Sequence, residues 1–164
     1  MTKITVIHPP INIVLDDFFT SYKPAATSAL RRRIELVRSD LLTHLELEGP
    51  RILTAGQLAL LATEKQFNPD GAFARTGHAD DLYYALEHYL IPAHAQAGLD
   101  QREVQLDVVA ALAAKLWAER LISLDTVSEC CVIEFELAMK AARALVSDAR
   151  LRERTLRVSS NARS

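Results

Sequence analysis

Val108 to Ala118 read VVAALAAKLWA, with Lys115 the only charge in the stretch. At roughly 100° per residue, Val104, Val108, Ala111 and Leu112 point one way, and Leu106, Val109, Ala113, Leu116 and Trp117 point the other. A helix apolar on two sides has to be covered on two sides. Residues 99–121 are therefore expected to run through the middle of a bundle, enclosed over their whole circumference by other helices or by a second copy of the chain. Asp100 with Glu103 reads as the capping box that opens this helix, and Leu99 with Val104 as its hydrophobic staple.

The flanking sequence gives further helices. Ile11 to Tyr22 carries Ile11, Val14, Leu15, Phe18 and Phe19 on one side. After Pro24, a helix over about 25–48 aligns Ala26, Leu30, Ile34, Val37, Leu41 and Leu45, and Gly49-Pro50 stops it. Thr54 and Gln57 form a second capping box for a helix to about Gln66, with Leu53 and Leu58 as its staple. Asn68-Pro69-Asp70-Gly71 breaks the chain. Phe67–Gly77 is read as a long loop, held down by Phe67 and Phe73. Ala79 to Leu90 is helical, with Leu82, Ala85, Leu86 and Tyr89 inward and Asp80, Asp81, Tyr84, Glu87 and His88 on its polar side. A last helix, about Thr126 to Arg150, has Val127, Cys131, Phe135, Ala138, Ala142 and Leu145 as its stripe, although CCVIEF at 130–135 is locally strand-like. Lys3 to Ile7 is a short β-branched run, for which Thr155–Ser159 is the one comparable partner.

The fold expected is all-α, an orthogonal or mixed bundle of about five to six helices around residues 99–121. One domain spans 1–164, with an N-terminal arm over 1–10, a short strand that pairs with the C-terminal segment, and a flexible basic tail over about 151–164. Hydrophobic residues make up 49% of the chain and aromatics only 6%, which suits helices better than a β-sandwich. A net charge of −2 creates no whole-molecule field toward nucleic acid or anionic lipid. No apolar run reaches the length of a membrane span, and the N-terminus lacks the apolar core of a signal peptide. Cys130 and Cys131 are adjacent, which fits neither a C-x-x-C pair nor half a zinc site, so buried, reduced thiols in a cytoplasmic protein are expected.

Three functional readings follow. Absent a P-loop, G-x-S-x-G, G-x-G-x-x-G or H-E-x-x-H pattern, the leading one is a non-catalytic interaction or regulatory protein, homodimeric, with no cofactor and no bound metal. The second is a small-molecule or metal site, in an enzyme or a ligand sensor, built from Phe73, Arg75, Thr76, His78, Asp81 and His88. Here an aromatic and a guanidinium would border free N–H groups at a helix start. His78, His88 and His94 are the histidines near this acidic stretch, yet Asp81 and His88 stand seven residues apart, roughly 10 Å along a helix and too far for one ion. Asp80 and Asp81 are read more simply as first-turn acids that suit the helix dipole, and HADD lacks the adjacent His–Asp pair of an HD-type phosphohydrolase. The third and weakest reading is nucleic-acid association through Arg150, Arg152, Arg154 and Arg157, with Arg163 beyond them. Arg31, Arg32 and Arg33 fan around a helix rather than form a patch. A helix-turn-helix over 54–90 would turn Asp80, Asp81 and Glu87 toward phosphates, which disfavours it.

Overall fold

The computed structural model describes residues 8–22, 27–91 and 98–161. Seven α-helices lie among them: α1 (Ile11–Ser21), α2 (Ser28–Glu48), α3 (Ala55–Phe67), α4 (Ala72–Thr76), α5 (Ala79–Tyr89), α6 (Leu99–Ala118) and α7 (Glu129–Asn161), with a 3₁₀ turn at Gly49–Ile52. The described residues form an all-helical fold, as the Ala/Leu-rich, aromatic-poor composition implies. Among the described residues no helix is long and apolar enough to cross a membrane.

Local signals set the helix starts. The Thr27 side chain accepts from the N–H of Leu30, so α2 opens at Ser28. Thr54 and Gln57 close the expected capping box of α3, with the Thr54 N–H 2.9 Å from Gln57 Oε1. Asp81 does the same for α5 by reaching back 2.9 Å to the N–H of His78. The N–H of Cys131 donates to the Ser128 hydroxyl at 3.2 Å, which caps α7.

The core joins every helix around α6. Leu106, Val108, Val109, Leu112 and Leu116 of α6 are buried with Val37, Leu41 and Leu45 of α2, Leu82, Leu86 and Tyr89 of α5, and Phe135 and Ala142 of α7. Both sides of α6 are thus covered. A third stripe is not: Asp107, Ala114 and Ala118 are exposed, and Ala110, Ala111 and Trp117 are half-buried. Complete enclosure of this helix is not reached within one chain. The uncovered residues are mostly alanines, whose small area makes exposure cheap.

Four other expectations change. Thr155–Ser159 lies inside α7, so it is no strand partner for the N-terminal run; Lys3–Ile7 lies outside the described residues. No strand occurs among the described residues, only an isolated antiparallel bridge between Pro10 and His78. The segment read as a flexible tail is helical through Asn161. Within the expected loop 67–77, Ala72–Thr76 form α4, and Phe67 is 82% exposed whereas Phe73 is fully buried. Asp100 and Glu103 do not cap α6. Its N-cap is Gly98 at φ 83°, and the two acids turn sideways to arginines of α2 and α7.

Candidate functional site

Phe73, Arg75, Thr76 and Asp81, four of the six residues read as a ligand site, make contacts within the fold. Phe73 lies against Gly49, where an added Cβ would stand 2.5 Å from its ring. The guanidinium of Arg75 donates to Glu64 at 2.7 Å and to the carbonyls of Asn68 and Asp70, tying the 68–71 turn to α3. Thr76 Oγ1 donates to the Ala72 carbonyl at 2.9 Å. Asp81 is buried and takes the Gln57 amide at 3.2 Å besides the N–H of His78. Burial raises its pKa, and those two hydrogen bonds oppose the rise. His78 is exposed beside His8, their rings 6.5 Å apart, and His88 is exposed on α5. His94 lies outside the described residues. Among the described residues no three His, Cys, Asp or Glu side chains are placed to hold a metal.

The arginines of the last helix divide by side. Arg150 Nε and Nη2 donate to the Glu103 carboxylate at 3.1 and 2.9 Å, and Nη2 also meets Asp100. Arg150 and Arg157 line an open groove of about 720 Å³ at the start of α6, together with Arg32, Arg33, Asp100 and Glu153. Its positive charge is largely answered within the chain, since Arg33 meets Asp100 at 3.0 Å and Arg150 meets Asp100, Glu103 and Glu153. Arg152 and Arg154 are exposed and form no ion pair among the described residues.

The surface that stands out is the outer side of α7. Its inner side buries Cys131, Phe135, Ala142 and Val146, with the Phe135 ring 5.1 Å from that of Tyr83. Arg143 to Asp107, at 3.2 Å, and Arg150 to Glu103 clamp this side onto α6. On the opposite side Ile133, Leu137 and Leu151 are 56–60% exposed, and Leu145 is 57% exposed on a flank between the two sides. At roughly 100° per residue, Cys130, Ile133, Leu137, Ala141, Ala144 and Leu151 fall within about 40° of one line along the helix. Beside this line runs an apolar groove of about 340 Å³, whose walls are Ala110, Ala114 and Trp117 of the uncovered stripe of α6, with the buried Ala113, against Val132, Phe135 and Met139 of α7. A monomer leaves contiguous apolar surface of this kind to water only at a cost, and large patches mark contact surfaces.

The sequence reading placed Leu145 inward, but Val146 is the buried residue and Leu145 is exposed. Cys130 is exposed as well, against the expectation that both thiols are buried. The outer stripe was legible in the same heptad spacing, at Cys130, Leu137, Ala144, Leu151 and Val158. With the helix expected to end at Arg150, Leu151 and Val158 fall outside it and the stripe loses its last two members. The chain matches no protein-family model, no curated protein and no solved structure.

Proposed function

We propose that the protein is a non-catalytic helical interaction module that works as a homodimer through the outer side of α7. The observation that carries this reading is the exposed row Ile133, Leu137 and Leu151, set opposite the stripe that packs into the core. A second copy is the occupant that the charges favour. The first turns of α7 carry Glu129, Glu134 and Glu136, and its last turns carry Arg152, Arg154 and Arg157 against Glu153. A copy laid along α7 in reverse therefore meets opposite charge at both ends. Interfaces with an apolar centre and a polar rim have this layout.

Light scattering during gel filtration tests the reading. A single chain weighs 18.2 kDa. A mass near twice that value at micromolar concentration is the expected result, and the single-chain mass across the whole accessible range would overturn it.

A further inference from the structure

We infer that two copies pair α7 against α7 antiparallel, with the two-fold axis at Ala144, and that the arginines at the end of the helix serve to bind the acidic first turns of the second copy. This rests on the homodimer reading above and gives it a geometry.

The charges of α7 are sorted by side. Those facing the body, Arg143 and Arg150, are paired with Asp107, Asp100 and Glu103. Glu134, Glu136, Lys140, Asp148, Arg152 and Arg154 are exposed and have no ion pair among the described residues. An isologous contact requires a surface that complements itself, and these residues do so about one point. With Ala144 on the axis, Leu137 lies level with Leu151 of the second copy, Cys130 with Val158, and Lys140 with Asp148. Glu134 and Arg152 lie on one flank of α7, and Glu136 and Arg154 on the other, since each pair is separated by five full turns. A two-fold axis perpendicular to both helices brings like flanks together. Glu134 then faces Arg152 of the second copy, and Glu136 faces Arg154, each offset by about 3 Å along the axis. Both contacts occur twice in the dimer.

Parallel pairing has the opposite consequence. It stacks Glu134 and Glu136 on their own copies at one end and Arg152 and Arg154 on theirs at the other, and like charges at close range repel. Ala144 at the axis fits the antiparallel geometry. Helices whose axes are 8–10 Å apart, each with a Cα radius near 2.3 Å, leave roughly 3–5 Å between facing Cα atoms. A small side chain is what such an approach tolerates.

Cysteine placement reads the register directly. In a Cys130→Ser background, full-length Ala144→Cys should form an interchain disulfide under copper-phenanthroline and air, because facing Cα atoms at that spacing lie within disulfide reach. Leu137→Cys alone should not, nor Leu151→Cys alone, whereas a mixture of the two should. Cross-linking of Leu137→Cys with itself would show parallel pairing and overturn the inference. No cross-link in any of these, with light scattering still reporting a dimer, would overturn the register and leave the homodimer reading standing.

Charge exchange gives a second test that does not depend on cysteine chemistry. Glu134→Arg/Glu136→Arg and Arg152→Glu/Arg154→Glu should each weaken self-association by about tenfold or more. An equimolar mixture should restore a dimer made of one chain of each kind. Circular dichroism confirms that the monomers stay helical, as the four residues are exposed. Unchanged association of either variant, or a mixture that stays as weak as its components, would overturn the inference.

Discussion

Arg150 of α7 grips Glu103 of α6 with two of its nitrogens, at 3.1 and 2.9 Å, and also meets Asp100 one turn earlier on the same helix. The contact marks the last partly buried position of α7, since residues 151–159 are all exposed. Hydrogen bonds from Arg150 are the main cause that holds the Glu103 and Asp100 carboxyls below the usual carboxylate range. A carboxyl whose folded pKa is depressed adds stability that is complete above its unfolded value, near 4, and is lost as the pH falls through the folded value. Wild-type protein should therefore exceed Arg150→Ala in stability at pH 7, and the gap should narrow as the pH falls below the usual carboxylate range and through the lowered folded values. Urea unfolding across pH measures it, and a gap independent of pH would contradict the pairing.

Gly49 and Phe73 are locked by shape. Gly49 has an ordinary right-handed backbone, so the requirement for glycine is one of space: its Cβ would intrude on the Phe73 ring at 2.5 Å. Gly49→Ala should cost about 1–3 kcal/mol by overpacking. Phe73→Leu, itself destabilising, should recover part of that cost in the double variant. Thermal unfolding of the four proteins reads the coupling, and strict additivity would contradict direct contact.

Asp81 closes the N-terminus of α5 and holds Gln57 of α3. Asp81→Ala should lower stability by about 1–2 kcal/mol with no ligand present. An unchanged unfolding midpoint would contradict the joint described for it.

The two thiols should differ in reactivity. Cys131 is buried, and that burial, with Glu87 and Glu134 nearby, pushes its pKa up to about 11. Cys130 is exposed at the start of the outer stripe. In the monomeric Leu137→Asp variant, iodoacetamide at pH 8, followed by mass spectrometry, should modify Cys130 and spare Cys131 until the protein is unfolded. Equal labelling of both in the native state would contradict the burial.

The apolar run of α6 was legible because its pattern is long and uninterrupted. Its uncovered alanine stripe was not, since an alanine carries no signal of which side faces water. The inner stripe of α7 was drawn through Ala138, Ala142 and Leu145 at steps close to the heptad average. A straight α-helix drifts roughly 20° per heptad against that repeat, which is enough to turn Val146 inward and Leu145 outward by the third turn after Phe135. The length of α7 was hidden by polar residues after Arg150, whose helix the sequence marks with neither a glycine nor a proline stop. Asp100 and Glu103 resemble a cap in spacing, and their use as anchors for Arg33 and Arg150 depends on residues far away in the chain. Phe73, Arg75, Thr76, His78, Asp81 and His88 read as one group because they share one short stretch of sequence. Their hydrogen-bond partners, Glu64 and Gln57 above all, lie on α3 and could not be read from local pattern.

Sedimentation equilibrium on three proteins tests the central claim, that the outer side of α7 is the contact surface, most directly. Wild type is compared with Leu137→Asp on α7 and with Leu60→Asp, which alters an equally exposed leucine on α3. The account predicts a dimer for wild type and Leu60→Asp and a folded monomer for Leu137→Asp. A Leu137→Asp protein that remains dimeric, or a Leu60→Asp protein that falls apart instead, would contradict it.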